Sequence, residues 1–486
     1  MIKKFLTILA ILPLVAFCAP QNNPEQEPEN QEEQKDPEDE NNQEDDTDLY
    51  ADAAPEVKDG DNVQATNPLV EKFLTEVNYT DKTCTEGSKV YDYPGGFGGP
   101  DGLNWDNWKK EWPDGDKPMK YSIRWKKGDL DDLTNKIQLH LEDKLGWSGD
   151  LEVAAGSYYA EITNLVPGDE YTYRITSGSG KVVTEGKFTT KNGCSLHQVF
   201  FTGASKKTEA KQKGTGVRNA RDLGGWPTLD GKKVKYRKFY RGGRMNDPWE
   251  TMLNKQGKAE VLFEGIGAEI DLRGSDDVVK TPAVTGLDHW HGLIEEGGKC
   301  MLGVADPSDY NWAKWVAFDV KREDLKDMTK DQLKQYIKDN PPTAADKAEF
   351  KEAYKAKMKD LFTFVFNCAK NNKPVYFHCS LGRDRTGTLD IILLGVLGVQ
   401  EAIIAKEYEV TYFAPVGYSV SSSDKESNPE PIFKNTRAAW VYSDIVPYFW
   451  SLAGDGTFAQ GVEKYLTEIA GVSKADIEEF RRLALE

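Results

Sequence analysis

No stretch of this chain reads as a membrane-spanning helix. Its conspicuous apolar run, Phe5 to Phe17, has 13 residues, short of the roughly 20 a helix needs to cross a bilayer. An excess of positive charge is missing too. Lys and Arg number 62 against 80 Asp and Glu, a formal net charge of -18, which argues against a dedicated nucleic-acid binder because phosphate backbones attract basic surfaces. His289 and His291 form a His-x-His pair without obvious companions for a metal site, so neither metal nor cofactor is expected. No internal repeat is visible. What the chain does have is the 38% hydrophobic and 11% aromatic content of a globular protein. Its 486 residues point to more than one domain.

Lys3 and Lys4 ahead of the apolar run have the build of an export signal. Val15-Ala16-Phe17-Cys18 resembles the lipobox of bacterial lipoproteins, in which the Cys becomes the lipidated first residue. The resemblance implies a signal over residues 1–18, lipid attachment at Cys18 and a membrane-anchored lipoprotein of the cell envelope, at the outer membrane or cell surface. An ordinary cleaved signal would instead make the protein secreted or periplasmic. Residues 19–60 are Glu, Asp, Gln, Asn and Pro with almost no apolar side chain. They cannot bury enough surface to offset their ordering entropy and read as an acidic disordered tether. Downstream of Cys18 stand Cys84, Cys194, Cys300, Cys368 and Cys379. In an oxidising envelope some can pair, and an odd number leaves at least one free. Cys84 with Cys194 is a candidate bridge, and Cys379 is the candidate free thiol.

Residues 61–116 are poorly defined, with a short amphipathic stretch at Pro68–Val77 and a Gly- and Trp-rich one at Pro94–Trp112. Over 117–191 apolar and polar residues alternate in short runs: Tyr121–Trp125, Ile137–Leu141, Tyr158–Ile162, Tyr171–Ile175 and Val182–Thr189. Period-two runs divided by Gly, Asp and Ser turns predict a small β-sandwich. Ile162 to Arg174, with Leu165, Tyr171 and Tyr173, resembles the tyrosine corner of fibronectin type III domains. That resemblance implies a hydroxyl hydrogen bond from Tyr171 to nearby backbone, Leu165 and Tyr173 facing the core, and a spacer or docking module without chemistry. From about 195 strands alternate with helices, as in α/β folds. Ala268–Arg273 and Pro374–Phe377 read as buried strands. Thr343–Asp346 and Ser473–Asp476 read as capping boxes. The first opens a helix whose apolar face is Phe350, Tyr354, Met358, Leu361, Phe362 and Val365.

Between a strand and a helix lies His378-Cys379-Ser380-Leu381-Gly382-Arg383-Asp384-Arg385-Thr386-Gly387. Five residues between Cys379 and Arg385 make a loop able to curl round a tetrahedral anion with its N–H groups inward, at the positive end of the following helix. Gly382 allows a backbone conformation or close approach that a side chain would block. Arg385 can bind two oxygens through its fork. The same field lowers the Cys379 thiol pKa and makes it a nucleophile. Thr386 is placed to hydrogen-bond the sulfur, and His378 to order the loop and tune the thiol.

The run resembles the loop of Cys-based phosphatases, and in particular that of a bacterial tyrosine/serine phosphatase family with Arg383 in place of a Lys. Asn219-Ala220-Arg221-Asp222-Leu223-Gly224-Gly225, Phe239-Tyr240-Arg241-Gly242-Gly243 and Ile270-Asp271-Leu272-Arg273-Gly274 match further segments of that family in order. The resemblance implies a multidomain fold: a fibronectin type III-like β-sandwich at 117–191, then at 196–486 an α/β Cys-based phosphatase domain whose central, largely parallel sheet is flanked by helices. It implies phosphate binding by Ser380, Leu381, Gly382, Arg383, Asp384 and Arg385. Asn219, Arg221 and Asp222 are expected as braces of the loop, with Asp271 and Arg273 part of the same support. Asp384 is the first choice for general acid, with a structural role pinning Arg383 as the alternative; Asp306 and Asp309 are the runners-up. Trp312 and Trp315 either flank an aromatic substrate or pack in the core. Trp112-Pro113-Asp114 spells the acid-bearing loop of well-known tyrosine phosphatases but lies far upstream, and reads as coincidence. The expected partners are a phosphorylated protein or small phosphoester and, through the lipid, a membrane. A phosphoinositide or inositol polyphosphate substrate is the alternative within the enzyme class, and a catalytically silent phosphate-binding or adhesive surface protein the alternative outside it.

Overall fold

The computed structural model describes residues 118–191, 196–205, 216–217, 219–246, 251–273, 281–292, 297–318, 323–411 and 436–486, with Glu71, Leu74 and Thr75. The export signal with Cys18, the tether, the rest of 61–116 including Trp112-Pro113-Asp114, and the Cys84–Cys194 pair lie outside the described residues.

The alternating runs fold as two antiparallel sheets. In one, β1 (Lys120–Arg124) pairs with β4 (Tyr159–Thr163). In the other, β2 (Ile137–Asp143) lies between β3 (Ser148–Val153) and β5 (Glu170–Thr176), and β6 (Val182–Thr189) closes the far edge of β5. Ile137, Leu139 and Leu141 point inward from β2 while Gln138 and Glu142 face water, because successive strand residues face opposite sides. They pack on Tyr121, Ile123, Ile162, Tyr171, Ile175 and Phe188. The Tyr171 hydroxyl accepts a hydrogen bond from the Val166 N–H at 2.8 Å. Leu165 is buried and Tyr173 only partly so. Strand β3 escapes a reading from the sequence because only Leu151 and Val153 mark its half-buried face, too short an apolar alternation to stand out.

Further along, β7 (Gly203–Ser205) pairs with β10 (Thr251–Leu253). The central sheet has the order β12 (Asp288–His291), β11 (Ala268–Asp271), β13 (Val375–His378), β9 (Phe239–Gly242), β8 (Arg221–Asp222). Its strands run parallel except β8, which is antiparallel to β9. β9, β11 and β13 are buried at every position, as interior parallel strands covered on both faces must be.

The helices are α1 (Lys255–Phe263), α2 (Gly298–Met301), α3 (Asp309–Phe318), α4 (Glu323–Lys326), α5 (Lys330–Asp339), α6 (Ala344–Lys370), α7 (Asp384–Val396), α8 (Glu401–Val410), α9 (Thr436–Ala453), α10 (Phe458–Lys464) and α11 (Lys474–Ala484). Thr343 and Asp346 form the capping box that starts α6, and the apolar face read from the sequence is the buried one. Ser473 caps α11 by accepting the Asp476 N–H. Helix α7 is buried from Thr386 to Val396 and is the central helix of the core. Among the described residues no helix is long and apolar enough to cross a membrane.

Candidate active site

Strand β13 ends at His378, α7 begins at Asp384, and the loop between them carries Cys379 at the carboxyl end of the sheet. Gly382 has φ +72, in the left-handed region. A Cβ there would lie 2.3 Å from the Gly242 carbonyl carbon and 2.6 Å from the Gly243 nitrogen, so the loop closes onto the end of β9 only with glycine. The Gly382 carbonyl accepts from Asn219 Nδ2 and from Arg241 Nη2, both at 2.8 Å. Arg244 clasps the start of the loop: its N–H donates to the Ser380 carbonyl at 3.3 Å and its Nη1 to Ser380 Oγ at 2.7 Å. These contacts tie the carbonyls of Ser380 and Gly382 to the scaffold.

Beneath it lies a buried network of charges. Arg241 Nη1 donates to Asp390 at 2.6 Å and to Glu407 at 2.7 Å. Arg221 donates to Glu407 Oε1, to the Glu407 carbonyl at 3.0 Å and to the side chain of Asn219. Burial opposes ionisation of Glu407, but Arg221 and Arg241 outweigh it and hold its carboxyl well below the usual range. Burial, with the Glu407 charge beside it, pushes Asp390 well above that range. Glu407 therefore carries the negative charge and Asp390 its proton.

The Cys379 thiol is buried, which by itself would raise its pKa, yet Arg385 and Thr386 bring it down to about 7. Cys368 is equally buried, and there burial and Asp288 push the thiol up to about 11. The difference is the cation and the hydroxyl at the start of α7. Thr386 Oγ1 is buried without a conventional partner and lies near enough to the sulfur to act on it. His378 Nδ1 donates to the Cys379 carbonyl at 3.1 Å and Nε2 to Glu269 at 2.9 Å. Burial opposes its charge, but Asp271 and Glu269 outweigh it and raise the imidazole pKa. Asp271 is in turn held by a two-point contact with Arg273.

Not every residue singled out from the sequence reaches the loop. Asp222 turns the other way, accepting from the Gly224 N–H at 2.9 Å and the Arg237 N–H at 2.5 Å. It braces a strand, because β8 pairs with β9 and adjacent side chains on a strand face opposite sides. Asp384 is gripped by Arg383, Nε to Oδ1 at 3.1 Å and Nη2 to Oδ2 at 3.2 Å. The Leu381 side chain is exposed, so it offers the anion only its backbone. Asp306 is drawn to Lys347 and Lys351 of α6 at 3.2 and 2.7 Å and held below the usual range by them. Asp309 is exposed at the start of α3. Trp312 and Trp315 are buried against each other and Phe350, as core. His289 and His291 lie partly buried on β12 with nearly parallel rings. Among the described residues no group of three or more His, Cys, Asp or Glu is placed to hold a metal ion.

Arg244, Glu269, Asp390 and Glu407 were missed from the sequence. Asp390 did carry a signal, as a lone acid inside the apolar run of α7. Arg241 lies in a segment that the family resemblance covers, but nothing in the sequence shows its grip on Gly382.

The same region is similar to known proteins. The tyrosine phosphatase family pattern matches residues 213–486. A candidate tyrosine-protein phosphatase of Cupriavidus necator is 25% identical over 194 residues, which cover 40% of this chain and 59% of that protein. The chain thus matches less than two thirds of that relative's length. The matched region holds the central sheet from β8 onward, the Cys379 loop and the charges beneath it, and by that match the chain belongs to the tyrosine phosphatase family.

Proposed function

We propose that this protein hydrolyses phosphotyrosine, and phosphoserine or phosphothreonine where the pocket admits them, through a cysteinyl-phosphate on Cys379. The observation that carries the reading is the placement of buried Cys379 in a loop between β13 and α7 that Gly382 closes against the end of β9, where Arg385 and Thr386 lower the thiol pKa. The thiolate attacks phosphorus, the P–O bond to the leaving group breaks, and Asp384 gives that oxygen a proton. Water then attacks the phosphocysteine, Asp384 takes its proton, and phosphate leaves as the thiolate is restored. Arg385 and the loop N–H groups hold the phosphoryl oxygens throughout, which is where most of the catalytic work lies for so loose a transition state. No step calls for a metal. Asp306 is the weaker acid because its lysines keep it charged.

A polyphosphorylated inositol would draw on Arg383, whose fork is engaged by Asp384, so a single phosphate group is the better fit. A silent binding protein has no use for a lowered thiol pKa. The envelope location through Cys18, with the tether and a fibronectin-like module, belongs to the same proposal. Its test is Cys379→Ser: turnover of p-nitrophenyl phosphate falls to background while phosphate or vanadate binding persists. Near-normal turnover in that variant removes the nucleophile and the reading with it.

A further inference from the structure

The β-sandwich meets the α/β part on a buried seam centred on Arg237, a residue with no assigned role. Arg237 is 5% exposed and has φ +58, uncommon for a residue with a side chain. From the sandwich, Asp143 at the end of β2 accepts from its Nε at 3.0 Å, and the Tyr171 hydroxyl accepts from Nη2 at 3.2 Å. From the α/β side, Glu264 accepts from Nη1 at 2.5 Å. The guanidinium lies 4.0 Å from the centroid of the Trp147 ring, and Trp147 Nε1 donates to the Phe263 carbonyl at 3.2 Å. A second tie runs beside it. His197 bridges Asp222 at 3.1 Å and the Asn164 carbonyl at 2.8 Å, while Asn164 exchanges two hydrogen bonds with the Phe200 backbone.

Both ties end on the strands that seat the phosphate loop. The Arg237 N–H is held by Asp222 of β8, and two residues later the chain enters β9. β9 supplies Arg241 to the Gly382 carbonyl, and its end at Gly242 is the backbone against which Gly382 closes. We propose that Arg237 is a positioning residue through which the sandwich sets β8 and β9, and so the phosphate loop. The sandwich is then a working part of the catalytic unit, contrary to the spacer read from the sequence. A purely adhesive seam would be satisfied by apolar packing, whereas a buried guanidinium with three oxygen acceptors imposes a direction on every group it holds.

The role has meaning only if Cys379 is the nucleophile proposed above. The experiment therefore uses the full chain and compares wild type with Asp143→Asn, Tyr171→Phe, Arg237→Gly and the outer-face control Arg174→Ala. Glycine at 237 accepts the left-handed backbone and removes the whole side chain with its guanidinium. Three quantities are read well below each variant's melting temperature: kcat/KM for p-nitrophenyl phosphate, vanadate inhibition, and the pH midpoint of iodoacetamide inactivation. Asp143→Asn and Tyr171→Phe are expected to weaken vanadate about threefold to thirtyfold and to raise the alkylation midpoint, with Arg237→Gly further in the same direction and Arg174→Ala unchanged. Should the seam variants melt earlier while vanadate inhibition and the alkylation midpoint match wild type, the seam is structural and the proposal falls. Asp143→Asn and Tyr171→Phe decide this between them even if Arg237→Gly fails to fold. A wild-type chain that neither turns over substrate nor binds vanadate removes the phosphatase reading, and this role with it; an active wild type with unaltered variants removes this role alone.

Discussion

Two buried cysteines of this chain show how a residue acquires reactivity. Cys368 and Cys379 are both 3% exposed, and burial pushes both thiols up. Only Cys379 has an arginine and a hydroxyl to reverse the effect, ending near 7 against about 11 for Cys368. Since the thiolate is the reactive form, inactivation by iodoacetamide is expected to rise about tenfold from pH 6 to pH 8 and then level off, with modification of Cys379 ahead of Cys368 in a mass-spectrometric time course. A rate still climbing steeply at pH 10 would mean an ordinary thiol. The fork of Arg383 contacts both carboxylate oxygens of Asp384, while the role proposed for Asp384 is to donate a proton. Asp384→Asn is expected to slow phenyl phosphate, with its poor leaving group, more than p-nitrophenyl phosphate. Equal losses on the two substrates would reduce Asp384 to an anchor for Arg383.

At the scale of elements, the loop is held by residues from β8, β9, α7 and α8 joined through one buried charge network. Its two acids are not equivalent. Glu407→Gln leaves Arg221 and Arg241 without their shared counter-charge and is expected to cost about 3–5 kcal/mol in urea unfolding. Asp390 already holds its proton, so Asp390→Asn is expected to cost no more than about 1 kcal/mol. Equal costs would mean that the charge is divided between them. The elements themselves were largely legible: five of six sandwich strands, α6 and α11 with their caps, and β11 and β13 followed from period and capping residues. β3 was not, because two apolar residues, Leu151 and Val153, on a half-buried face are too few to set a period.

For the whole molecule, the seam between sandwich and α/β part carries a pH dependence of its own. Asp169 is 7% exposed with Oδ2 unpartnered, and burial, reinforced by Asp143, raises its carboxyl to about 6 from 3.8. The folded value lies above the unfolded one, so the folded chain keeps a proton that the unfolded chain gives up. Stability from this group is present in full at low pH and is lost as pH rises from about 4 to about 6. Asp169→Asn is therefore expected to stabilise the protein by about 1–3 kcal/mol at pH 7.5 and to give little at pH 4. A variant equally or less stable than wild type at both pH values would show the carboxyl to be satisfied in the fold.

The amino-acid sequence by itself determined the residue spacing on which the proposed chemistry of the loop rests. A cysteine, five residues and an arginine between a buried strand and a helix are a local matter, whereas the approach of Gly382 to the end of β9 is not. It equally determined where five sandwich strands, α6, α11, β11 and β13 lie, since those follow from spacing along a few turns of chain. Only the tertiary structure decided which distant side chains hold the loop. Arg241 and Glu407 stand 166 residues apart, and Asp143 and Arg237 stand 94 apart. Nothing local records such pairs, because a buried charge finds its partner through the packing of whole elements and not through its neighbours in the chain. The same reason explains Asp222, whose sequence places it beside Arg221 but whose strand turns it toward the sandwich.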